Sequence, residues 1–406
     1  MRSRIFGGNS INVGIYNRNL VFEVIRSRGP ISRAEIARAT NLTTAAITNI
    51  VRALVADGFV EEIGPGESSG GRKPGLLQVR KGSRYSLAAD LAGTNLSVAL
   101  TTITGEIVAR VEKNMPADSG QAVDALIEAI GELRKANGVD PAKIVGIGVT
   151  TPGLIDRATG TVIKSVRLGW YGVPLKAILE NALDFPVFIG KDTESAILGE
   201  QWYGIGRGVD NLIYVWVGTG IAIGILLNGQ VYTGSTGMAG EFGHTSIQAD
   251  GTRCRCGNEG CLEGLAGLEA ISERAKGALM QGARSSIPGM TLDPNIGSPA
   301  RIAPMSVLDA AAAGDPVAIE IVEDAGRKLG IGVANLINIF NPQVILIGGQ
   351  IRPKDERFIA EVKRVAKQRA LAEIASAVTI DVSHLGRDAG LMGGTALVWR
   401  NLFGTA

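Results

Sequence analysis

The chain has 406 residues, and its 45% hydrophobic and 20% charged residues are typical of an ordinary globular protein with two or three domains. This composition excludes a disordered chain, a coiled coil and a collagen-like fibre. The sequence contains no apolar run of about 18 residues, and the apolar core of a secretory signal does not follow its first residues. We therefore expect a cytoplasmic protein that does not enter a membrane.

The net charge of +2 is unevenly distributed along the chain. Residues 1–82 contain twelve Lys and Arg against six Asp and Glu, whereas the remaining residues contain 29 against 33. A basic segment ahead of a mildly acidic body indicates a polyanionic partner, because each cation that meets a phosphate releases counterions. An ordinary solvated surface is the alternative explanation of the same charge.

Three stretches with helical periodicity come first in the chain, and each ends at a turn signal. The second stretch begins with a capping box formed by Ser32 and Glu35. Two short predicted strands follow, separated by a glycine-rich and basic segment. The predicted helices cover residues 19–28, 32–39 and 43–56, and the predicted strands cover residues 59–63 and 76–79.

Three helices followed by a hairpin are the plan of a winged helix-turn-helix, whose third helix enters the major groove of DNA. Small polar side chains on the third helix and a basic wing favour this interpretation over a three-helix protein-interaction module. We expect Arg52 and Arg72 to contact phosphates or the minor groove. The predicted base-edge contacts come from Thr43, Thr44, Ala45, Thr48 and Asn49.

From Arg84 onward the predicted pattern is α/β, and one order of elements occurs twice. Each copy has a three-strand meander, a helix and a buried strand, which implies two lobes around a cleft. The predicted domains are residues 1–82 with the wing and a linker, residues 83–190 as the first lobe and residues 191–406 as the second lobe. We expect the C-terminal helix to return to the first lobe.

In each copy, one glycine-rich turn follows the first strand. The two turns read Asp90-Leu91-Ala92-Gly93-Thr94 and Gly218-Thr219-Gly220. Glycine lets backbone N–H groups approach an anion closely. Tight hairpin turns also need glycine, so each turn alone is more often structural than nucleotide-binding.

All three cysteines of the chain and one of its two histidines lie close together in sequence. His244, Cys254, Cys256 and Cys261 are the Cys3His set that tetrahedral zinc prefers, and a group of reduced thiols is the alternative. An odd number of crowded cysteines is poorly suited to a disulfide framework. Four protein ligands leave no position for an activated water, so the predicted zinc is structural.

This segment resembles the signature of the ROK family of repressors, open reading frames and sugar kinases. The resemblance lies in Glu241-Phe242-Gly243-His244 and Cys254–Glu263, and it continues in Gly146–Gly153, Asn341-Pro342 and Gly390–Gly394. A winged helix ahead of it is similar to the transcription-factor branch of the family. The resemblance implies an actin-like, ribonuclease-H-like fold that binds a sugar between two lobes.

The resemblance also implies which residues contact the sugar. An Asn-Asp pair serves the sugar in the family, and the matching residues here are Lys191 and Asp192. Glu241, His244 and Glu263 match the other sugar-contacting positions, and the second ring nitrogen of a zinc-bound histidine can donate to a hydroxyl. Lys191 departs from the family pattern. It indicates either an anionic or modified sugar or a salt bridge that leaves specificity unchanged.

The phosphate loops of the family kinases are altered in this sequence. The kinases carry Asp-x-Gly-Gly-Thr and Gly-Thr-Gly-x-Gly-Gly-Gly, whereas this chain has Ala92, Ala222 and Ile223 at glycine positions. Side chains there reduce the room for a phosphate, so we expect impaired ATP binding and assign no catalytic residue. Asp192 would be the general base only if the protein were a kinase.

The sequence thus predicts a sugar-responsive repressor of carbohydrate-metabolism genes that binds double-stranded operator DNA as a homodimer or homotetramer. Sugar binding is expected to release the operator. Two alternatives stay open: an ATP-dependent sugar kinase with a regulatory DNA-binding domain, and a DNA-binding protein whose body only assembles oligomers.

Overall fold

The structure of the chain is a computed structural model that describes residues 10–65, 75–91, 95–288, 291–293 and 298–403. The chain divides into a first unit of Met1–Ser195 with Gly390–Ala406 and a second unit of Ala196–Ala389. The domain boundaries expected at residues 82 and 190 stay predictions. Within the described ranges, no helix combines the length and the apolar character that a membrane crossing requires.

The N-terminal part of the first unit contains three helices and a small antiparallel sheet. In this sheet β3 lies between β1 and β2. The elements are α1 (Ser10–Arg28), β1 (Ile31–Ser32), α2 (Arg33–Thr40), α3 (Thr44–Ala56), β2 (Val60–Pro65) and β3 (Gly75–Val79). This is the predicted winged helix-turn-helix.

The local signals read from the sequence form the turns of this domain. Ser32 accepts the Glu35 N–H, and Glu35 Oε2 accepts the Ser32 N–H at 2.9 Å, which completes the predicted capping box. Asn41 ends α2 in the left-handed conformation with φ 57°. Thr43 begins α3, and its hydroxyl oxygen accepts the Ala46 N–H at 3.3 Å.

The rest of the first unit is built on a sheet in which the described strands have the order β11-β7-β4-β5-β6. β4, β7 and β11 are parallel, so their carboxyl ends lie at the same edge of the sheet. The elements are β4 (Tyr85–Asp90), β5 (Asn95–Thr102), β6 (Ile107–Asn114), α4 (Ser119–Asn137), β7 (Ile144–Thr151), β8 (Leu154–Asp156), β9 (Thr161–Ser165), β10 (Trp170–Val173), α5 (Leu175–Ala182), β11 (Val187–Lys191) and α6 (Asp192–Tyr203), which continues into the second unit.

The second unit repeats this plan. Its described strands have the order β14-β13-β12-β17-β18, again with a meander on one side and parallel strands on the other. The predicted duplication is therefore confirmed. The elements are β12 (Leu212–Val217), β13 (Ile221–Leu227), β14 (Gln230–Val231), α7 (Leu262–Ala266), α8 (Leu268–Met280), β15 (Thr291–Asp293), β16 (Ser298–Arg301), α9 (Pro304–Ala312), α10 (Pro316–Phe340), β17 (Val344–Gly349), α11 (Glu356–Arg369), α12 (Ala372–Ala377) and β18 (Thr379–Val382).

The final helix, α13 (Ala389–Phe403), belongs to the first unit except for its first residue. Its N-terminal turns approach other backbone closely, because a methyl group on Gly393 would overlap Ser195 and one on Gly394 would overlap Gly148. These glycines fix α13 against the start of α6 and against β7.

The C-terminal turns of α13 carry aromatic side chains into the winged helix domain. Phe403 and Trp399 pack with Phe22 of α1 and with Phe59, and each of these rings is at most 7% exposed. The guanidinium of Arg18 lies 5.2 Å from the centre of the Phe403 ring. The winged helix domain is thus docked on α13 through a buried aromatic cluster.

Candidate functional site

One face of α3 is exposed to solvent, and the other anchors the helix. Ile47, Val51 and Leu54 on the inner face are fully buried. Ala45 and Asn49 lie one turn apart on the opposite face and are exposed. The helix therefore presents small and polar side chains to solvent on a rigid support.

The remaining predicted contacts extend the same exposed face. Thr48 is half-buried and its hydroxyl donates to the carbonyl of Thr44 at 2.8 Å. Arg52 is exposed, and its Nη1 donates to Asn49 Oδ1 at 3.3 Å. Arg72, the predicted wing contact, lies outside the described residues.

A second candidate site is the group of His244, Cys254, Cys256 and Cys261 in the second unit. One ligand atom from each residue lies within 4.8 Å of all the others. His244 Nδ1 lies 3.9 Å from Cys254 Sγ, and the sulfur atoms of Cys256 and Cys261 are 3.7 Å apart. Zn–S bonds of about 2.3 Å in a tetrahedron place two sulfur atoms about 3.8 Å apart. The four residues can therefore hold a metal ion.

Turns and short backbone pairings bring these four residues together. Leu262 N–H donates to the carbonyl of Thr245 at 3.0 Å, which joins the start of α7 to the segment that carries His244. Gly260 has φ +66° and lies against the carbonyl of Gln248, where no other residue fits without displacement.

The helix α10 packs against the segments that carry His244 and Cys261. A side chain at Gly332 would overlap the ring of Phe242 and the side chain of Leu262, so both residues pack directly against the backbone of α10. Burial raises the pKa of the Cys261 thiol to about 12. A bound divalent cation would offset this effect, because it stabilises the thiolate.

Two carboxylates accompany the metal-binding residues. Glu263 lies in the first turn of α7, and its Oε2 accepts the Ile221 N–H at 3.1 Å. Glu241 precedes His244 and is exposed, and its carbonyl accepts the His244 N–H at 3.1 Å. The second unit thus brings together three of the five predicted sugar-binding residues on two bonded segments.

The other two predicted residues belong to the first unit. Lys191 is the last residue of β11 and is half-buried, and Asp192 is the first residue of α6. Asp192 Oδ1 accepts the Thr193 N–H at 2.7 Å. Burial raises the pKa of Asp192 to about 6, although the Thr193 N–H, Lys191 and Arg167 oppose this shift.

Sequence reasoning missed Arg167, which lies in the loop between β9 and β10. The loss of hydration lowers the pKa of its guanidinium, and the attraction of Asp192 and Asp90 does not offset that loss. No motif or periodicity marks this residue. Its only sequence signal is a cation within a loop that the strand pattern did not resolve.

The glycine turn of the second unit makes contacts that stabilise the turn itself. The Gly218 N–H donates to the carbonyl of Gly220 at 2.9 Å, and the indole of Trp216 lies against Gly218. Ile223 was expected to obstruct a phosphate, but it lies inside β13 and is 4% exposed in the core. That expectation is corrected: the period of the strand turns the Ile223 side chain inward. Residues 92–94 of the other turn, including Ala92, lie outside the described residues.

Comparisons with known proteins find two matching families and several full-length relatives. The ROK family matches residues 86–401, and the family described as winged helix-turn-helix DNA-binding matches residues 18–61. The xylose repressor of Caldicellulosiruptor bescii is 34% identical over 394 residues, which are 96% of this chain and 97% of that protein. The DNA-binding transcriptional dual regulator NagC of Escherichia coli is 30% identical over 97% of this chain and 94% of its own length.

Solved structures give the same result. A ROK family transcriptional regulator described as a homologue of the E. coli MLC protein has a TM-score of 0.82 and 29% identity, and the match covers 97% of both chains. A ROK family glucokinase from Streptomyces griseus, in complex with glucose and AMPPNP, has a TM-score of 0.66 and 26% identity over 77% of this chain and 98% of its own. With a winged helix-turn-helix ahead of a duplicated α/β body and a Cys3His group in the second unit, the chain belongs to the ROK family.

Proposed function

We propose that this protein is a transcriptional repressor that binds an operator through α3 and releases it when a sugar binds to its body. The observation that carries the proposal is the exposed polar face of α3 in a chain that aligns over nearly its whole length with proteins named repressors. Relatives named xylose repressor and N-acetylglucosamine repressor support a sugar as the effector.

The contacts with DNA divide by chemistry. The Asn49 amide suits bidentate bonding to an adenine, and Ala45 suits apolar contact with a thymine methyl group. The guanidinium of Arg52 and, in the wing, that of Arg72 suit phosphates. The Thr43 hydroxyl oxygen accepts the Ala46 N–H as the cap of α3, which leaves its proton and one lone pair for a contact with DNA.

A metal supports the proposed sugar site in the second unit. We infer that the metal is zinc, because three thiols and one imidazole are the donors that zinc prefers and a hard cation does not. His244 Nδ1 faces the thiols, which leaves Nε2 to donate to a sugar hydroxyl. Glu241 and Glu263 accept hydrogen bonds from neighbouring hydroxyls. Lys191 and Asp192 of the first unit are the other two residues for which we propose sugar contacts.

The route from the sugar to DNA runs through α13. A methyl group on Gly390 would overlap the carboxylate of Asp90. The start of α13 therefore contacts the C-terminal end of β4, in the same sheet as the strand that carries Lys191. The other end of α13 packs into the winged helix domain through Trp399 and Phe403. A sugar that binds more tightly to the protein when α13 is in one position than when it is in another therefore changes the affinity of the protein for the operator. We propose a homodimer, so that two α3 helices meet two half-sites.

A sugar kinase is the second candidate. Asp192, whose pKa burial raises to about 6, has the character of a general base. A glucokinase from Halalkalibacterium halodurans is 33% identical over 78% of this chain. Against it, the indole of Trp216 lies over the glycine turn and narrows the space for a phosphate. ADP release from ATP and magnesium with a panel of hexoses separates the two functions: sugar-dependent turnover would favour the kinase.

The test of the proposed function uses the full chain and operator fragments selected from random DNA. Fluorescence anisotropy should show high affinity for a selected fragment, and a sugar from a screened panel should lower that affinity. Glu241→Ala should abolish the response to the sugar, whereas Glu373→Ala, an exposed acid on α12, should keep it. Binding to DNA that no sugar changes would favour a body that only assembles oligomers.

A further inference from the structure

A polar cavity of about 440 Å³ lies in the first unit, where the winged helix domain meets the body. Three segments line it: the end of α3, the connection from β3 to β4 and the turn that precedes β7. The lining residues are 56–58, 80–84, 140, 142 and 143. None of them is a predicted contact with the sugar or with DNA. The volume lies in the range of small-molecule sites, about 300–1,000 Å³.

The cavity is at the end of the β2–β3 hairpin that faces the body. The Arg80 N–H donates to the carbonyl of Phe59 at 2.9 Å, which closes this end of the hairpin. At the opposite end Pro65 pairs with Gly75, and the chain between these two residues contains the predicted wing contact Arg72. The cavity is therefore separate from the wing.

Arg84 links the two sides of the cavity. Its Nη1 donates to the carbonyl of Ala142 at 2.9 Å, and its Nη2 donates to the carbonyl of Asp57 at 3.4 Å. Both acceptors are uncharged carbonyl groups, so these bonds position the guanidinium without neutralising it. A guanidinium has five N–H donors, and the two bonds leave three of them for a ligand.

Three further cations line the cavity. Arg80 and Lys81 follow β3 on the winged helix side, and Lys143 ends the turn before β7 on the side of the body. All three side chains are exposed, and among the described residues none of them forms a hydrogen bond or an ion pair. Independent segments thus bring unpartnered positive charges to one cavity.

Two acids also line the cavity, and each of them has a partner other than these three cations. Asp57 Oδ2 lies 2.9 Å from Nη2 of Arg18, which is not part of the lining. Asp140 Oδ1 accepts the Ala142 N–H at 3.0 Å and caps the turn before β7. Four cations and two acids give the lining a formal charge of +2.

The end of α3 does not require these cations either. The C-terminus of a helix carries partial negative charge on its last carbonyl groups. Here the carbonyls of Ala53, Leu54 and Val55 accept backbone N–H groups of the following turn at 2.9–3.0 Å. The positive charge of the cavity is therefore left for a ligand.

We propose that this cavity is a second ligand site, which binds a small molecule with several negative charges, such as a bisphosphate or a tricarboxylate. Guanidinium and ammonium groups on separate segments suit such an anion. The proposal goes beyond the proposed function, because neither the sugar nor the operator contacts this cavity. Arg80 and Lys143 lie on opposite sides of it, so the bound anion favours the arrangement in which the winged helix domain is docked on the body.

The test is calorimetric titration of the full chain with pyrophosphate, fructose 1,6-bisphosphate and citrate, with inorganic phosphate and acetate as anions of lower charge. At least one multivalent anion should bind about tenfold more tightly than inorganic phosphate and should raise the melting temperature. Arg80→Gln and Lys143→Gln should each weaken this binding about tenfold. Lys135→Gln removes the same charge from an exposed position of α4 outside the cavity, and it should leave the binding unchanged.

Two results would overturn the proposal directly: no binding by any multivalent anion, or binding that Arg80→Gln and Lys143→Gln leave unchanged. DNA phosphates are the competing partner for these cations. A lower salt dependence of operator binding in both variants, measured without an added anion, would assign the cations to DNA and contradict the proposal. Thermal unfolding of the ligand-free variants verifies that each is folded, as expected for exposed side chains without partners.

Discussion

The ring of Phe22 in α1 stacks on the ring of Phe403 in α13, with centroids 3.8 Å apart and an angle of 21° between the planes. Phe59 meets the same Phe403 ring edge-on, with centroids 4.8 Å apart. An aromatic side chain of the last helix is therefore part of the hydrophobic core of the winged helix domain. The contribution of Phe403 to the stability of that core can be measured in the absence of DNA.

Replacing Phe403 with alanine should lower the free energy of unfolding by about 3–5 kcal/mol, the usual effect of removing a buried aromatic ring. Because the ring supports α1, the affinity for operator DNA should fall as well. Thermal unfolding and fluorescence anisotropy measure the two effects. Leu402→Ala, at a neighbouring residue that is 38% exposed, is the matched control. Equal behaviour of the two variants would contradict the docking role of the aromatic cluster.

Substitutions on the exposed face of α3 should affect DNA binding in two different ways. Asn49→Ala should cost about 1–3 kcal/mol against the preferred operator and little against other sequences, because it removes a base contact. Arg52→Ala should weaken binding to every sequence and reduce the slope of log affinity against log salt by about one. Salt titrations of both variants provide the measurement, with Lys135→Gln on α4 as the control. A uniform loss for Asn49→Ala would remove it from the set of base readers.

Removal of the metal should destabilise the second unit. We expect one zinc ion per chain by elemental analysis, and its loss in Cys261→Ser or after treatment with a strong chelator. The melting temperature should fall by roughly 5 °C or more, since the metal joins the loop to α7. Arg253→Gln, an exposed residue of the same loop, should retain the metal and the melting temperature. A full metal content in Cys261→Ser would disprove the four-ligand set.

Asp192 predicts a particular dependence of stability on pH. Its pKa is raised from 3.8 to about 6 in the folded protein, so the unfolded chain loses this proton more readily. The carboxyl group therefore lowers the free energy of unfolding as the pH rises through this interval, and the loss is complete above the folded pKa. Asp192→Asn should raise the free energy of unfolding at pH 7.5 by on the order of 3 kcal/mol.

The same comparison at low pH is the internal control. Near pH 4 both side chains are neutral, so the difference between Asp192→Asn and the parent protein should shrink toward zero. Asp184→Asn, at an exposed position, should show no such dependence. Chemical denaturation at the two pH values measures the effect. A stabilisation of the same size at both values would mean that packing, and not ionisation, is responsible.

Much of the fold could be predicted because local chemistry and tertiary packing agree. The capping box at Ser32 begins α2 as expected. The apolar pattern predicts strands at residues 212–217 and 221–227, and β12 and β13 have these bounds because most of their side chains are buried. Likewise the spacing of His244 and the cysteines was sufficient to predict a metal-binding group, since the ligands are close in sequence.

Other features depend on contacts that no local pattern reveals. The helix α1 begins at Ser10, whereas the sequence predicts a start at Asn19. The sequence pattern missed the first turns because Val13, Ile15 and Tyr16 are about half exposed, so these turns have no amphipathic pattern. The strands β8, β9 and β10 were not predicted. Arg167 lies in one of their loops, so its proximity to Asp192 follows from the topology alone.

The aromatic cluster on α13 also has a consequence for the order of synthesis. The helices that read DNA are made first, but the ring that completes their core is made only after both five-stranded sheets. A nascent chain on the ribosome therefore carries an unfinished winged helix until translation reaches α13. The core of the winged helix domain is therefore completed only after the whole α/β body has been synthesised.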